Sequence, residues 1–148
     1  MEQREKQILV TIISTVFIFG FYSLYVFNKY IASSPEMIND SKFWGKAFLI
    51  LIPVTIVAQI FIHIVFTITN KMVTNEDMPT ISDERDKLIE LKAIRISHWI
   101  FTLGFLIAMG SQAIGMKSGA MFILLISSGL ISSMVSEIAK IYFYRKGI

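Results

Sequence analysis

Two ionisable side chains stand inside long apolar segments, where a proton or a charged ligand could be handled. His63 interrupts the apolar run 47–69, and Glu137 lies in the run that begins at residue 118. Ionisable groups are costly inside a membrane and are often functional there. Both runs are predicted to cross in the same direction, which places the two residues at similar depth. We hypothesise that His63 and Glu137 form a hydrogen-bonded or ionic pair, with His98 as a further member.

The alternative interpretation of these two residues is structural. Glu137 stands three residues before Lys140, and such a pair can close at the membrane interface while the lysine extends toward water. His63 can bond a backbone carbonyl instead of a carboxylate. Both interpretations stay open at this point.

A second set of candidate residues lies in the polar segment 70–97. After Pro79 the pattern predicts a helix over 80–97, capped by Thr80 or Ser82, with acids in its first turn and bases later, as the helix dipole favours. An apolar stripe beside these charges suits a partner protein or a membrane surface. The candidate partner-binding residues are Asp83, Glu84, Arg85, Asp86, Lys92 and Arg95.

Other interpretations of this segment also stay open. It can be a solvated helix whose charges only fix the orientation of the chain. Its carboxylates can hold Mg²⁺ or Ca²⁺, although their spacing departs from the EF-hand pattern and basic residues stand nearby. We expect the helix to run on into the third apolar run, because neither Pro nor Gly separates Ser82 from Phe101. The alternative is a bend near residues 97–99.

The stretch Asp83-Glu84-Arg85-Asp86, with Ile89, Lys92-Ala93 and Arg95-Ile96-Ser97, carries a resemblance. It resembles a motif of a family of small bacterial and archaeal four-span membrane proteins of unknown function. In that family an Asp-Glu-Arg-Asp/Glu stretch precedes a Lys-Ala pair at the start of the third helix. The resemblance implies a helical membrane fold but no activity. Because such proteins are often paired with a helix-turn-helix regulator, it also implies a regulator as a partner.

Four long apolar runs define the expected fold. They cover about 8–27, 47–69, 96–116 and 118–140, and the chain is 54% hydrophobic and 17% charged, whereas soluble domains carry about 25% charged residues. A helix of about 20 residues crosses a hydrocarbon layer of roughly 30 Å. We therefore predict an all-α polytopic membrane protein. Residues 1–148 form one integral membrane domain, a four-transmembrane-helix bundle with a charged cytoplasmic helix leading into the third span.

Small residues recur on the last two predicted spans. Gly104 stands on the third span, and Ser128, Ser132 and Ser136 stand at every fourth position of the fourth. Such rows let helices approach closely. We expect them to serve packing within the chain, with homo-oligomer formation as a second option.

Basic residues are sorted between the two predicted sides. The N-terminal tail has two, the segment 70–95 has five and the C-terminal end has three, whereas the first loop has three and the third loop has one. Cytoplasmic segments are enriched in Lys and Arg. The count predicts a multi-pass protein of a prokaryotic cell membrane with both termini in the cytoplasm, so the lipid bilayer is its first partner.

The expected function follows from what the chain contains and lacks. It has no cysteine, which excludes disulfides and thiolate chemistry, and no catalytic motif at its required spacing. We expect no cofactor, no metal and no direct nucleic-acid binding. We expect a non-enzymatic membrane protein that engages a cytoplasmic regulatory protein or a membrane partner through the helix 80–97, in a regulatory, immunity or accessory role. The alternative is an oligomeric small transporter or channel subunit that uses His63 and Glu137.

Overall fold

Four long helices make up the fold of the computed structural model, which describes residues 2–79 and 82–147. They are α1, Gln3–Val26; α2, Ser41–Thr74; α3, Glu84–Ala113; and α4, Ser118–Lys146. α1 continues into a π-helical turn, Phe27–Ile31, and a 3₁₀ helix, Pro35–Asn39, precedes α2. Each of the four helices is long and apolar enough to cross a membrane. The prediction of an all-α chain with four helices suited to a membrane is confirmed.

α3 unites the charged segment and the third apolar run in a single helix. Its 30 residues form a rod about 45 Å long, compared with a hydrocarbon layer of roughly 30 Å. The helix passes through residues 97–99 without interruption, so the alternative of a bend there is wrong. It ends at Ala113, short of residue 116, because Gly115 turns the chain with a φ of 84°.

The start of α3 also differs from the prediction. Asp83 is the cap, because its carboxylate accepts the Asp86 N–H at 2.7 Å and its own N–H donates to the Asp86 carboxylate at 3.4 Å. This reciprocal pair is a capping box, which satisfies two donors that a helix start leaves open. Ser82 precedes the cap, and Thr80 lies outside the described residues. The helix therefore begins at Glu84 rather than near residue 80.

The helices pack as an open bundle. α3 lies along α4, α4 lies against α1, and α1 lies against α2, whereas α2 meets α4 over a short stretch only. Within the described residues, α2 and α3 do not pack on each other. A cleft of about 680 Å³ lies between them, with walls that include Phe48 of α2 and Phe101 of α3. The chain therefore has two edge helices, α2 and α3, each supported by neighbours on one side.

The 3₁₀ helix closes the end of the bundle opposite the chain termini. Asn39 accepts the Ser118 hydroxyl on its backbone carbonyl at 2.8 Å and the Gly119 N–H on its side chain at 3.2 Å. α4 thereby gains a cap from outside its own helix. A β-carbon at Gly119 would lie 2.3 Å from the Ile38 carbonyl oxygen, so only glycine fits beneath this turn.

Small residues make up about half of the buried positions within the described residues. Among the described residues, Ile89 is the one large side chain with almost no exposed surface. Ser14, Ser111, Ser132 and Ser136 are buried. In a bilayer large apolar side chains can face lipid without cost, so close helix contacts are left to small residues.

α3 and α4 come especially close at Gly104. A β-carbon at Gly104 would lie 2.0 Å from the Ser128 hydroxyl oxygen and 2.4 Å from the Ser128 β-carbon. At this point the small residues of the two helices serve packing within the chain, as expected from their spacing.

Gly104→Ala should lower the free energy of unfolding by about 1–3 kcal/mol, because the added methyl group has no room. Ser128→Gly removes both contacting atoms and should restore most of the loss, measured by thermal unfolding in detergent. Gly110→Ala is the matched control on the same helix. A β-carbon added at Gly110 would meet no atom of another part of the chain within 4 Å. Gly110→Ala should therefore be neutral or slightly stabilising. Equal losses of unfolding free energy for Gly104→Ala and Gly110→Ala would contradict a close contact between Gly104 and Ser128.

Candidate functional site

A cluster of charged side chains ties three helices together at the end of the bundle where the chain begins and ends. Asp86 of α3 forms an ion pair with Arg4 of α1 at 2.8 Å and accepts the Tyr144 hydroxyl of α4 at 2.5 Å. Beside it, Arg145 of α4 contacts Glu5 of α1 at 3.3 Å, and the Glu5 side chain is 9% exposed. We call these five residues the terminal cluster. It joins α1, α3 and α4 beyond their apolar runs.

Two basic residues of α3 lie against the last turn of α4. Arg85 donates to the Tyr144 carbonyl at 3.0 Å, and its guanidinium lies 5.6 Å from the centre of the Tyr144 ring. The Lys92 ammonium lies 5.7 Å from the centre of the Phe143 ring. Cations are attracted to aromatic faces and to the carbonyls at a helix C-terminus. Both residues therefore hold α3 onto α4.

The six residues predicted to bind a partner thus fall into two groups. Four contact their own chain: Asp83, Arg85, Asp86 and Lys92. The other two, Glu84 and Arg95, are exposed. Within the described residues neither forms an ion pair or a side-chain hydrogen bond. The helix therefore separates charges that are close in sequence into two groups, one that contacts the rest of the chain and one that is exposed.

Asp86 and Tyr144 lie outside the apolar runs of α3 and α4. Burial alone would raise the pKa of Asp86, but hydrogen bonds from Tyr144 and the Asp83 N–H, together with Arg4, outweigh it and lower that pKa below its ordinary 3.8. Burial and the Asp86 carboxylate raise the pKa of Tyr144 to about 12. Tyr144 therefore keeps its proton and acts as the donor, and Asp86 stays ionised.

Asp86→Asn should destabilise the fold by about 1 kcal/mol at pH 7, because asparagine keeps an acceptor for Tyr144 but loses the ion pair with Arg4. A carboxylate with a lowered folded pKa stabilises the fold above its unfolded pKa, near 3.9, and this contribution is lost as the pH falls through the folded pKa. The gap in thermal unfolding temperature between parent and variant should therefore shrink below about pH 4.

The control for this experiment is Asp77→Asn. Asp77 pairs with Lys71 at 2.8 Å, but both side chains are exposed, and exposed ion pairs contribute little to stability. The Asp77→Asn variant should unfold at nearly the parent temperature over the whole pH range. If the difference in unfolding temperature between Asp86→Asn and the parent stayed constant below pH 4, it would contradict an ionic role for this carboxylate.

A row of hydrogen bonds joins α1 and α2 within their apolar parts. Gln59 accepts the Ser14 hydroxyl at 2.9 Å and donates to the Thr15 hydroxyl at 2.8 Å. One turn further along, His63 Nε2 lies 3.0 Å from the Thr11 hydroxyl oxygen. We call these five residues the α1–α2 seam. Because lipid supplies no hydrogen-bond partners, polar side chains at this depth must satisfy one another across helices.

Thr11 is the hydrogen-bond partner of the His63 ring within the described residues. The Thr11 hydroxyl has one hydrogen, and both the Gln7 carbonyl oxygen and His63 Nε2 lie 3.0 Å from its oxygen. The hydrogen can go to either group, so this geometry is compatible with both tautomers of His63. Within the described residues Nδ1 has no hydrogen-bond partner.

His63 and Glu137 are not joined in the described structure. His63 bonds to Thr11, whereas Glu137 pairs with Lys140 of its own helix at 2.8 Å. The packing explains this correction, because α2 lies against α1 rather than α4 over most of its length. Glu137 thus pairs with Lys140, as the structural alternative predicted. His63 bonds a hydroxyl instead of the expected carbonyl, and His98 is exposed and belongs to neither group.

Several residues of these two sites were missed by the sequence analysis. The seam does leave a signal, because polar residues recur one helical turn apart at 11 and 15 in α1 and at 59 and 63 in α2. The terminal cluster leaves none, since Tyr144 and Asp86 are 58 positions apart and Arg145 and Glu5 are 140 apart. Only the packing of the helices brings these side chains together.

No group of three or more His, Asp or Glu side chains in the described residues is placed to hold a metal ion. The carboxylates between residues 76 and 86 are instead spread over a cap, an ion pair with α1 and an exposed ion pair with Lys71. The magnesium or calcium alternative therefore has no support from their geometry.

The fold and these two polar sites define an all-helical chain of the membrane-spanning class. No protein-family model, curated protein or solved structure matches it.

Proposed function

We propose that the chain is a non-enzymatic, multi-pass protein of a prokaryotic cell membrane that engages a partner through α3. The end that bears both termini holds ten basic residues and the other end holds four, which favours a cytoplasmic location for the termini. The same proposal includes a regulatory, immunity or accessory role. It also includes membership of the four-span family that residues 83–97 resemble.

One exposed helix face carries this proposal. Leu88, Leu91 and Ile94 are 47%, 65% and 52% exposed. At 100° per residue they fall within about a third of the helix circumference, together with the exposed Lys87 and Arg95. We call these five residues the outer face of α3. They precede the third apolar run and lie beyond the hydrocarbon, where clustered apolar side chains mark an interaction surface.

The opposite side of the same segment is anchored to the chain. Ile89 and Ala93 are buried, and Asp86 of the terminal cluster holds the first turn against α1 and α4. A partner therefore meets a helix that is already ordered, which reduces the entropy lost on binding. Apolar side chains flanked by two bases fit a cytoplasmic protein that offers an apolar groove with an acidic rim.

The transporter or channel alternative has weaker support. It needs His63 and Glu137 on one polar path, whereas each is bonded to a different neighbour. The cleft between α2 and α3 has almost entirely apolar walls, and a conducting path requires polar groups that replace the hydration of the solute. We therefore place partner binding first.

A photoreactive amino acid at Leu91 should give one discrete adduct with a soluble protein in native membranes. Arg95→Glu, introduced beside the same probe, should reduce the yield about tenfold, because it replaces an attractive charge at the rim with a repulsive one. The adduct is measured by gel mobility and identified by mass spectrometry.

Leu106 provides the matched control, since it lies on the same helix, is 60% exposed and belongs to the apolar run. A probe there should react with lipid alone. Probes at positions 88, 91 and 94 that also react only with lipid would assign the outer face to membrane headgroups and contradict the proposal.

The orientation can be tested because the chain has no cysteine. Ser33 and Ser82 are exposed at opposite ends of the bundle. In intact cells a membrane-impermeant maleimide should label the Ser33→Cys variant and spare the Ser82→Cys variant, because positive-inside sorting keeps the basic end within the cytoplasm. After lysis both should react. The reverse pattern before lysis would place the outer face of α3 on the wrong side for a cytoplasmic partner.

A further inference from the structure

α2 has the barest apolar surface of the four helices. Its most apolar 18-residue stretch contains no buried residue, whereas the corresponding stretch of each other helix contains some. α2 is 34 residues long and lies mainly against α1. Away from α1 it exposes a continuous row of large apolar side chains that includes Val57, Phe61 and Ile68.

The chain as a whole exposes more surface than a compact monomer of its size. A mass of 16.9 kDa corresponds to about 7,700 Å² of accessible surface for a compact folded chain, whereas this chain exposes 9852 Å². The difference, about 2,150 Å², exceeds the roughly 800 Å² that each partner buries in a standard protein interface. The surface available on this open bundle is therefore sufficient for a stable dimer.

A shallow groove on α2 combines this apolar surface with an unsatisfied polar atom. The groove has a volume of about 500 Å³ and is lined by Gln59, Ile60, His63, Ile64, Thr67 and Ile68. His63 lines this groove, and its Nδ1 has no hydrogen-bond partner within the described residues. A polar atom without a partner is costly in hydrocarbon, and a lipid chain has no donor to offer it.

We propose that a second copy of this chain packs on α2 and that the protein is a homodimer. Both copies have one orientation in the membrane, so a two-fold axis along the membrane normal brings α2 against α2. Because this axis preserves depth, the second copy brings Gln59 to within one helical turn of His63, and the Gln59 amide uses one of its two hydrogens toward Thr15 and keeps the other. That amide hydrogen can satisfy His63 Nδ1 across the interface. This inference does not depend on the proposed function of α3.

Cysteine crosslinking tests the contact directly. In a chain without cysteine, one cysteine per copy can form a disulfide only with the same residue of another copy. Ile60→Cys or Ile64→Cys, oxidised in native membranes, should give a product at twice the 16.9 kDa monomer mass. Leu103→Cys is the control, because Leu103 lies on α3 and is 61% exposed, compared with 56% for Ile60. It should remain monomeric.

The outcomes separate a dimer from a lipid-covered helix. A product from the α2 cysteines alone supports the proposal. The absence of a product at both α2 positions, or equal yields from α2 and α3, would mean that lipid covers α2 and that any product arises from random collision. Either result overturns the proposal.

Subunit counting in lipid nanodiscs tests the role of His63. His63→Leu should weaken dimerisation about eightfold, because two-fold symmetry forms this hydrogen bond twice and one interhelical hydrogen bond in a membrane has an average effect of just under threefold. Thr11→Val removes the hydrogen bond between Thr11 and His63 within one chain but keeps the imidazole. It should therefore leave dimerisation unchanged. Equal weakening by both variants would confine His63 to the α1–α2 seam and overturn its assignment to the interface.

Discussion

The ion pair between Arg4 and Asp86 connects two helices that do not pack on each other. α1 and α3 both lie against α4, and within the described residues they meet through long side chains at one end of the bundle. Asp86 also accepts the Tyr144 hydroxyl and closes the capping box with Asp83. One carboxylate therefore sets where α3 starts and how it is held against α1 and α4.

The remaining contacts follow from the hydrocarbon around the helices. Burying a leucine between two helices gains little when lipid is equally apolar, so contact falls to small residues and to cross-helix hydrogen bonds. The approach of Gly104 to Ser128 shows the first solution, and the bonds of Gln59 in the α1–α2 seam show the second. In the part of the chain that the structure describes, neither solution operates between α2 and α3, and there the bundle is open.

The sequence predicts the parts of this structure that depend on local composition. Apolar runs identify the four helices, and the absence of Pro and Gly before Phe101 predicts that α3 is continuous. The charges at 83–95 lie on a helix as expected, yet their division into inner and outer sides depends on where α4 lies. The proposed pair of His63 and Glu137 failed for the same reason. Equal depth in the membrane does not bring two residues together unless their helices share an interface.

The two edge helices can act together. Within the described residues α2 and α3 do not pack on each other. The outer face of α3 lies beyond the apolar run of its own helix, whereas the proposed dimer contact lies in the apolar part of α2. A second copy on α2 therefore leaves the outer face of α3 open. Two-fold symmetry would then present two such faces on one side of the membrane. A partner that is itself a dimer could occupy both, and the second contact would form at a high effective concentration. On this argument, weak binding at each face is sufficient to retain a dimeric partner at the membrane.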